Sequence, residues 1–383
     1  MINPKDELYC PSACNFGRSR IEQSHLLTNK KMKPKAIVLT DGMLHQADAK
    51  TAHGLIRCTD RYEIVAVIDG VHAGKDAGEV LDGTHRNIPV FANVDEAIAV
   101  IDDISYCIIG IATIGGKLPP HFVPTLESCV RQHISLVNGL HDFLINIPSL
   151  VALADEYKVQ LIDVRKPKPR QDLHFWNADI FKVDVPIIAV IGTDCALGKR
   201  TTCRLVMKAC AAEGINAQMI YTGQTGWLQG GQYGFIFDST LNDFISGELE
   251  HAIVSCWAET KPAVILIEGQ SALRNPSGPC GSELLVSGNA KNVILVHAPK
   301  RKYYDDLPEW GNIHSLASEI ELIKMYGSTV IAVALNTEHC SMAEALDFQQ
   351  QYEAELQLPV VLPLQQGVGK IVSSIQSLIK NIA

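Results

Sequence analysis

The sequence predicts an α/β fold of two domains, each a mainly parallel sheet covered by helices on both faces. Three observations lead there. Short apolar runs alternate with longer amphipathic stretches from Pro34 onward, the pattern of buried parallel strands separated by helices. The chain has 383 residues, more than one hydrophobic core usually organises. The alternation breaks at residues 165–182, "RKPKPRQDLHFWNADIFK", where two prolines and a basic cluster read as a solvated linker. The expected divisions are a polar, aperiodic N-terminal extension over 1–33, a first α/β domain with its linker over 34–182, and a second over 183–383.

In the first domain the strand candidates are "AIVLT" (36–40), "EIVAVID" (63–69), "IPVF" (88–91), "YCIIGIA" (106–112), "ISLVN" (134–138) and "VQLIDV" (159–164). Between them lie helix-like stretches such as "ADAKTAHGLIRCT" and "NVDEAIAVI". This succession is Rossmann-like. Asp69 ends the second strand, where dinucleotide folds often meet a ribose. The first strand, however, runs into "TDGMLHQADAKTAHG", which lacks G-x-G-x-x-G, so NAD binding is not expected, and Asp69 is left either to meet a ligand or to cap a turn. In the second domain strands are expected at 186–191, 218–222, 263–268, 292–296, 329–335 and 359–363. Helices are expected to begin near Lys199, Asn242, Ser315, Met342 and Gly369.

Composition narrows the function. The net charge of -9 argues against a general nucleic-acid binder, which would carry a basic face. No run reaches the length needed to span a bilayer, and the polar N-terminus has no secretory h-region. The eleven cysteines are scattered, as expected of reduced thiols in a cytoplasm. Cys10 and Cys14 form a lone C-x3-C pair with too few ligands for a metal, and no metal site is assigned. The expected partners are small-molecule substrates and further copies of the chain in a homo-oligomer, with no nucleic acid and no membrane.

The most informative stretch is "IGTDCALGKRTT", residues 191–202, which follows the apolar run "VPIIAV". Strand, glycine-bounded loop, lysine and helix form a phosphate-binding loop: free N–H groups at the helix start, the helix dipole and the lysine charge all favour an anion. Gly192, Thr193, Asp194, Gly198, Lys199, Arg200, Thr201 and Thr202 are the candidate residues. The domain is thus P-loop NTPase-like. Its spacing departs from G-x4-G-K-[ST], and the Thr-Asp pair with an extra loop residue resembles dethiobiotin synthetase. Arg200 stands where a magnesium-binding hydroxyl is usual. One residue of helix turns a side chain by about 100°, so Thr201 and Thr202 need not replace it. Two cations and no assured magnesium ligand suit an anion bound without metal.

The other strand ends add candidates. Glu268, in "VILIEGQSALRNP", takes the position of the acid opposite a phosphate loop, with Gly269 and Gln270 beside it. "MIYTGQTGWLQGGQYG" reads as a flexible, ligand-sized loop offering Gln224, Thr225, Gly226 and Gln229, with Trp227 and Tyr233 free either to stack on a ligand or to anchor the loop. "LVHAPKRKYYDD" brings His297, a candidate base, and the cations Lys300, Arg301 and Lys302. Asn336 ends the fifth strand. Arg274 and Arg301 are candidates for pairing with substrate carboxylates.

Taken in order, "GTDCALGKRTT", "YTGQTG", "ILIEGQSAL", "HAPKRK" and "VALNTE" resemble the DUF1611 family and, within it, D-glutamate N-acetyltransferases. The resemblance covers most of 34–383. It implies transfer of an acetyl group from acetyl-CoA to the amino group of a D-amino acid such as D-glutamate, with the loop holding the phosphates of CoA and Glu268 or His297 as base. One departure is Asn275-Pro276, where the family pattern has histidine before proline. The alternatives are a magnesium–ATP-dependent ligase or kinase of the dethiobiotin-synthetase type, and a non-catalytic nucleotide-binding module.

Overall fold

The computed structural model describes residues 32–382. Residues 1–31 of the expected extension, with Cys10 and Cys14, lie outside the described residues. The first domain holds β1 (Lys35–Leu39), β2 (Glu63–Ile68), β3 (Val90–Phe91), β4 (Ile104–Ile109), β5 (Ser135–Asn138) and β6 (Leu161–Asp163). They form a sheet in the order β3-β2-β1-β4-β5-β6, paired in parallel throughout. This is the order of doubly wound dinucleotide folds. Asp69 nevertheless serves the backbone: its carboxylate accepts from the Thr40 hydroxyl (2.7 Å), from the N–H groups of Leu44, Val71 and His72, and from the His72 ring. With all these partners and no exposure, it caps the turn after β2.

The second domain holds β7 (Ile187–Gly192), β8 (Ala217–Tyr221), β9 (Tyr233–Gly234), β10 (Val264–Glu268), β11 (Asn292–His297), β12 (Thr329–Leu335) and β13 (Val360–Val361). Their order is β13-β12-β11-β7-β10-β8-β9, again parallel at every pair. The central strand β7 is buried at every residue, which is why its sequence is apolar on both faces. One face of the sheet packs on helices Lys199–Ala212 and Gly369–Ile382. The other face packs on helices Asn242–Thr260, Leu316–Met325 and Met342–Leu356.

Two segments differ from expectation. The glycine-rich stretch after β8 is ordered: Gln224–Leu228 is a short helix and Tyr233–Gly234 adds an edge strand. Its glycines serve close packing, since a Cβ on Gly231 or Gly234 would sit 2.5 or 2.1 Å from Tyr221. The linker is solvated over 166–172, as expected, but its later part docks on the second domain. Ile180 is fully buried in the second core, Lys168 pairs with Glu248, and Glu250 accepts the N–H groups of Asn177 and Ile180. Among the described residues no helix is long and apolar enough to cross a membrane.

The domains meet along helix Lys50–Arg57. Leu228 of the second domain is buried in the core under that helix, and Trp227 packs against it. Gln229 donates to the carbonyls of Gly54 and Cys58. Arg61 stacks on Trp227, its guanidinium carbon 3.9 Å from the ring centre. Trp227 is thereby an anchor between domains, and Tyr233 is held at the sheet edge by Glu259, 2.7 Å away.

Candidate functional site

A cleft of ≈ 510 Å³ lies at the carboxyl ends of β7 and β10, between the two domains. The phosphate loop forms its floor. Gly198, with φ +94°, adopts the left-handed turn that reverses the chain into helix Lys199–Ala212. The first N–H groups of that helix have no intrahelical partner and, with its dipole, favour an anion. Lys199 is buried, and its ammonium donates to the Asp194 carbonyl at 2.6 Å. Burial pushes its pKa down to about 8, with the Cys195 and Asp194 charges opposing that shift. Such a lysine gains from any anion that restores its lost solvation. Gly192 leaves room for it, since a Cβ there would come within 3.3 Å of Lys199 Nζ.

Beside the loop, Arg200 Nη1 lies 3.7 Å from Glu268 Oε1. Glu268 is 3 % exposed and its other carboxylate oxygen accepts the Thr222 N–H at 3.3 Å. Burial raises the Glu268 pKa, and Arg200 partly offsets that rise. The Thr222 hydroxyl donates to the Glu268 carbonyl and accepts from Gln270 at 2.7 Å. Gly226 permits the assembly: a Cβ there would stand 2.7 Å from Glu268 Oε2. Gly269 likewise lets β10 approach the Val190 carbonyl of β7.

Of the residues expected from sequence, Gly198, Lys199, Arg200, Thr201, Thr202, Gln224, Thr225, Glu268, Gly269, Gln270 and Arg301 line this cleft, and so does Asn336. Thr202 is turned back on the helix, donating to the Gly198 carbonyl at 3.1 Å. Gly192, Thr193, Asp194 and Gly226 stand behind the lining.

Three expected roles need correction. His297 does not reach the cleft: its ring is packed behind the loop, 2.9 Å from the Thr193 hydroxyl and 3.4 Å from that of Tyr352. Burial depresses its pKa to about 4, so the ring is neutral and structural. Arg274 is outside the cleft as well, bonded to Glu319 at 2.8 Å and Ser318 at 3.0 Å. Arg301 touches the cleft but is saturated by Asp194 (3.0 Å), the Cys195 carbonyl (2.8 Å) and Glu338 (2.7 Å). A guanidinium so engaged has no fork left for a substrate carboxylate. Its work is to brace the loop. Asn275 does the same, donating to Asp194 at 2.8 Å, and Lys300 pairs with Glu344. Asp194, Cys195 and Asp305 come within 4.8 Å of one another, as a metal site would require, but Arg301, Asn275 and the Asp305 N–H already occupy the Asp194 oxygens.

Sequence reasoning missed the opposite wall. Lys50, His53, Gly54 and Arg57 line the cleft from the first domain, and Arg165 lines it from the end of β6. Their spacing, i, i+3, i+4 and i+7, places the first four on one helix face. That face was legible in "KTAHGLIR" as basic; what it faces was not.

The comparisons with known proteins agree with this architecture. Residues 71–167 match the family model described as "Domain of unknown function (DUF1611_N) Rossmann-like domain". Residues 174–372 match "Domain of unknown function (DUF1611_C) P-loop domain". A protein of Tritonibacter scottomollicae named D-glutamate N-acetyltransferase is 28% identical over 274 residues, covering 70% of this chain and 80% of its own length. One of the same name from a Pseudoalteromonas species is 29% identical over 275 residues, with the same coverage. The crystal structure of a DUF1611 family protein from Anabaena variabilis superposes with a TM-score of 0.82 at 27% identity, over 90% of this chain and 100% of that one. With its P-loop domain matched across more than half of its length and its Rossmann-like domain beside it, this chain belongs to the DUF1611 family.

Proposed function

We propose that this chain moves an acetyl group from acetyl-CoA to the amino group of a D-amino acid, chiefly D-glutamate, in the interdomain cleft. The observation that carries the reading is the Arg200–Glu268 pair. In a magnesium–nucleotide site the hydroxyl after the lysine and the acid opposite hold the metal. Here an arginine replaces the hydroxyl and neutralises the acid, and Thr202 bonds to its own helix. The donor set favours a phosphate ester bound by fixed cations and amides, as the diphosphate of CoA would be. The names of the relatives supply the acceptor.

The chemistry this asks of the residues is modest. Glu268 takes a proton from the acceptor ammonium, and the amine nitrogen attacks the thioester carbonyl. N–H groups at the helix start near Gly198 and Lys199 stabilise the oxyanion. The C–N bond forms as the C–S bond breaks. CoA leaves as a thiol with the proton held by Glu268, and the second amine proton passes to water.

The test is thiol release from acetyl-CoA on adding D-glutamate, with and without EDTA. Release that persists in EDTA and prefers D- over L-glutamate supports the proposal. Magnesium-dependent consumption of ATP without thiol release would replace it with the ligase or kinase reading, and tight acetyl-CoA binding without turnover would point to a binding module.

A further inference from the structure

We infer that the Rossmann-like domain supplies the acceptor side of the cleft, with Lys50 pairing with the side-chain carboxylate of the amino-acid substrate and so selecting a dicarboxylic acceptor. This rests on the acyl-transfer reading above.

The inference comes from the cations of the cleft and what each already holds. Arg200 faces Glu268, and Arg301 is saturated by Asp194 and Glu338. Arg165 is forked onto Asp238 and also donates to the Gly139 carbonyl. Arg57 stands 3.5 Å from Asp82, and the His53 ring is bonded to the Leu44 carbonyl at 2.7 Å. Lys199 belongs to the phosphate loop. Lys50 remains: it is exposed to the cleft and has no hydrogen-bond or ion-pair partner among the described residues. A dicarboxylic acceptor brings two anions into the cleft, and Arg274 and Arg301, which the sequence offers for them, are committed elsewhere.

The position of Lys50 is fixed by packing. Its helix docks through Gly54, where a Cβ would meet Thr225 Cγ2 at 3.0 Å and Arg200 Nη2 at 3.2 Å. Thr51, buried on the same helix, lies 3.4 Å from the Thr225 hydroxyl. The helix therefore rests directly on Thr225 and on Arg200, the partner of Glu268. One turn from that contact, Lys50 faces the same space as the proposed base. Arg57, further along the face, adds positive potential. An acceptor whose amine approaches Glu268 thus has a lysine available for its far carboxylate.

The experiment is steady-state kinetics of the full chain with K50A and K50R, using D-glutamate, D-glutamine and acetyl-CoA, with melting temperature as the folding control. K50A should raise KM for D-glutamate by about 10- to 100-fold, the loss of one charge-assisted pair. KM for acetyl-CoA and for D-glutamine should stay within about twofold, and K50R should restore most of the D-glutamate affinity. A rise in KM for acetyl-CoA with the acceptor KM intact would overturn the inference and give the helix face to the phosphates of CoA. Unchanged constants throughout would make Lys50 a solvated lysine, overturning it as well. Failure of the wild-type chain to release thiol with any amine would instead fell the acyl-transfer reading, before any variant is compared.

Discussion

Arg200 and Glu268 face each other at 3.7 Å across the mouth of the phosphate loop, Glu268 buried and Arg200 half-buried against the cleft. Glu268 could not stay ionised there alone without large cost, because an unpaired buried ion loses several kcal/mol of solvation (about 3–5 kcal/mol for a broken buried pair). The pair links the residue that departs from the standard loop to the acid that stands opposite it.

Glu268 acts as a base only when ionised, and its raised pKa puts the ionisation above the usual carboxylate range. Turnover should therefore fall as pH drops through that raised value. Arg200 lowers the same pKa, so R200A should move the acid limb of the kcat/KM profile to higher pH. E268Q should abolish the limb and lower kcat by about 10²–10⁴-fold, with little change in the affinity for acetyl-CoA measured by calorimetry.

His297 bears on stability rather than turnover. Its pKa of about 4 lies below the ordinary value of 6.5, so between these values the unfolded chain binds the proton and the folded chain does not. Stability should be complete above pH 6.5 and decline as pH falls toward 4, by about 3 kcal/mol at most from this group. Urea denaturation from pH 7 to 4 should show that slope, and H297N should flatten it. The same variant should keep kcat within about threefold if it folds, since the ring does not reach the cleft.

Gly226→Ala should damage the site without removing a functional group. The added Cβ would lie 2.5 Å from Tyr221 Cβ and 2.7 Å from Glu268 Oε2. Overpacking of this kind costs about 1–3 kcal/mol, and the displaced carboxylate should cost at least about tenfold in kcat/KM. Thermal unfolding and kinetics on one preparation would separate the two effects.

Arg165 and Asp238 join the domains across the cleft, at 2.8 Å between Arg165 Nη2 and the carboxylate. Asp238 is 40% exposed, so D238A should lower global stability by no more than about 1 kcal/mol. The freed Arg165 should loosen the approach of the two walls. The expected result is a severalfold rise in KM for both substrates, read by thiol release, with the melting temperature nearly unchanged.

The sequence by itself determined the central strands, because a parallel sheet buried on both faces demands continuous apolar runs, and β7 and β10 through β12 are such runs; it did not show the edge strand β9. It also determined the phosphate loop and the position of Glu268, since both follow directly from a strand end. Local chemistry was less legible where polar residues bond to partners far away in the chain. Nothing near Arg301 or Arg274 announces that Asp194 and Glu319 will claim them, and nothing near His297 announces Tyr352. The glycines after β8 read as flexibility, yet Gly226, Gly231 and Gly234 are small because Tyr221 and Glu268 crowd them. Only the tertiary structure decided which cations stay available and which wall faces the loop. Pairing of buried charges is settled by distance in space, so a helix some 150 residues earlier in the chain could become the other half of the site.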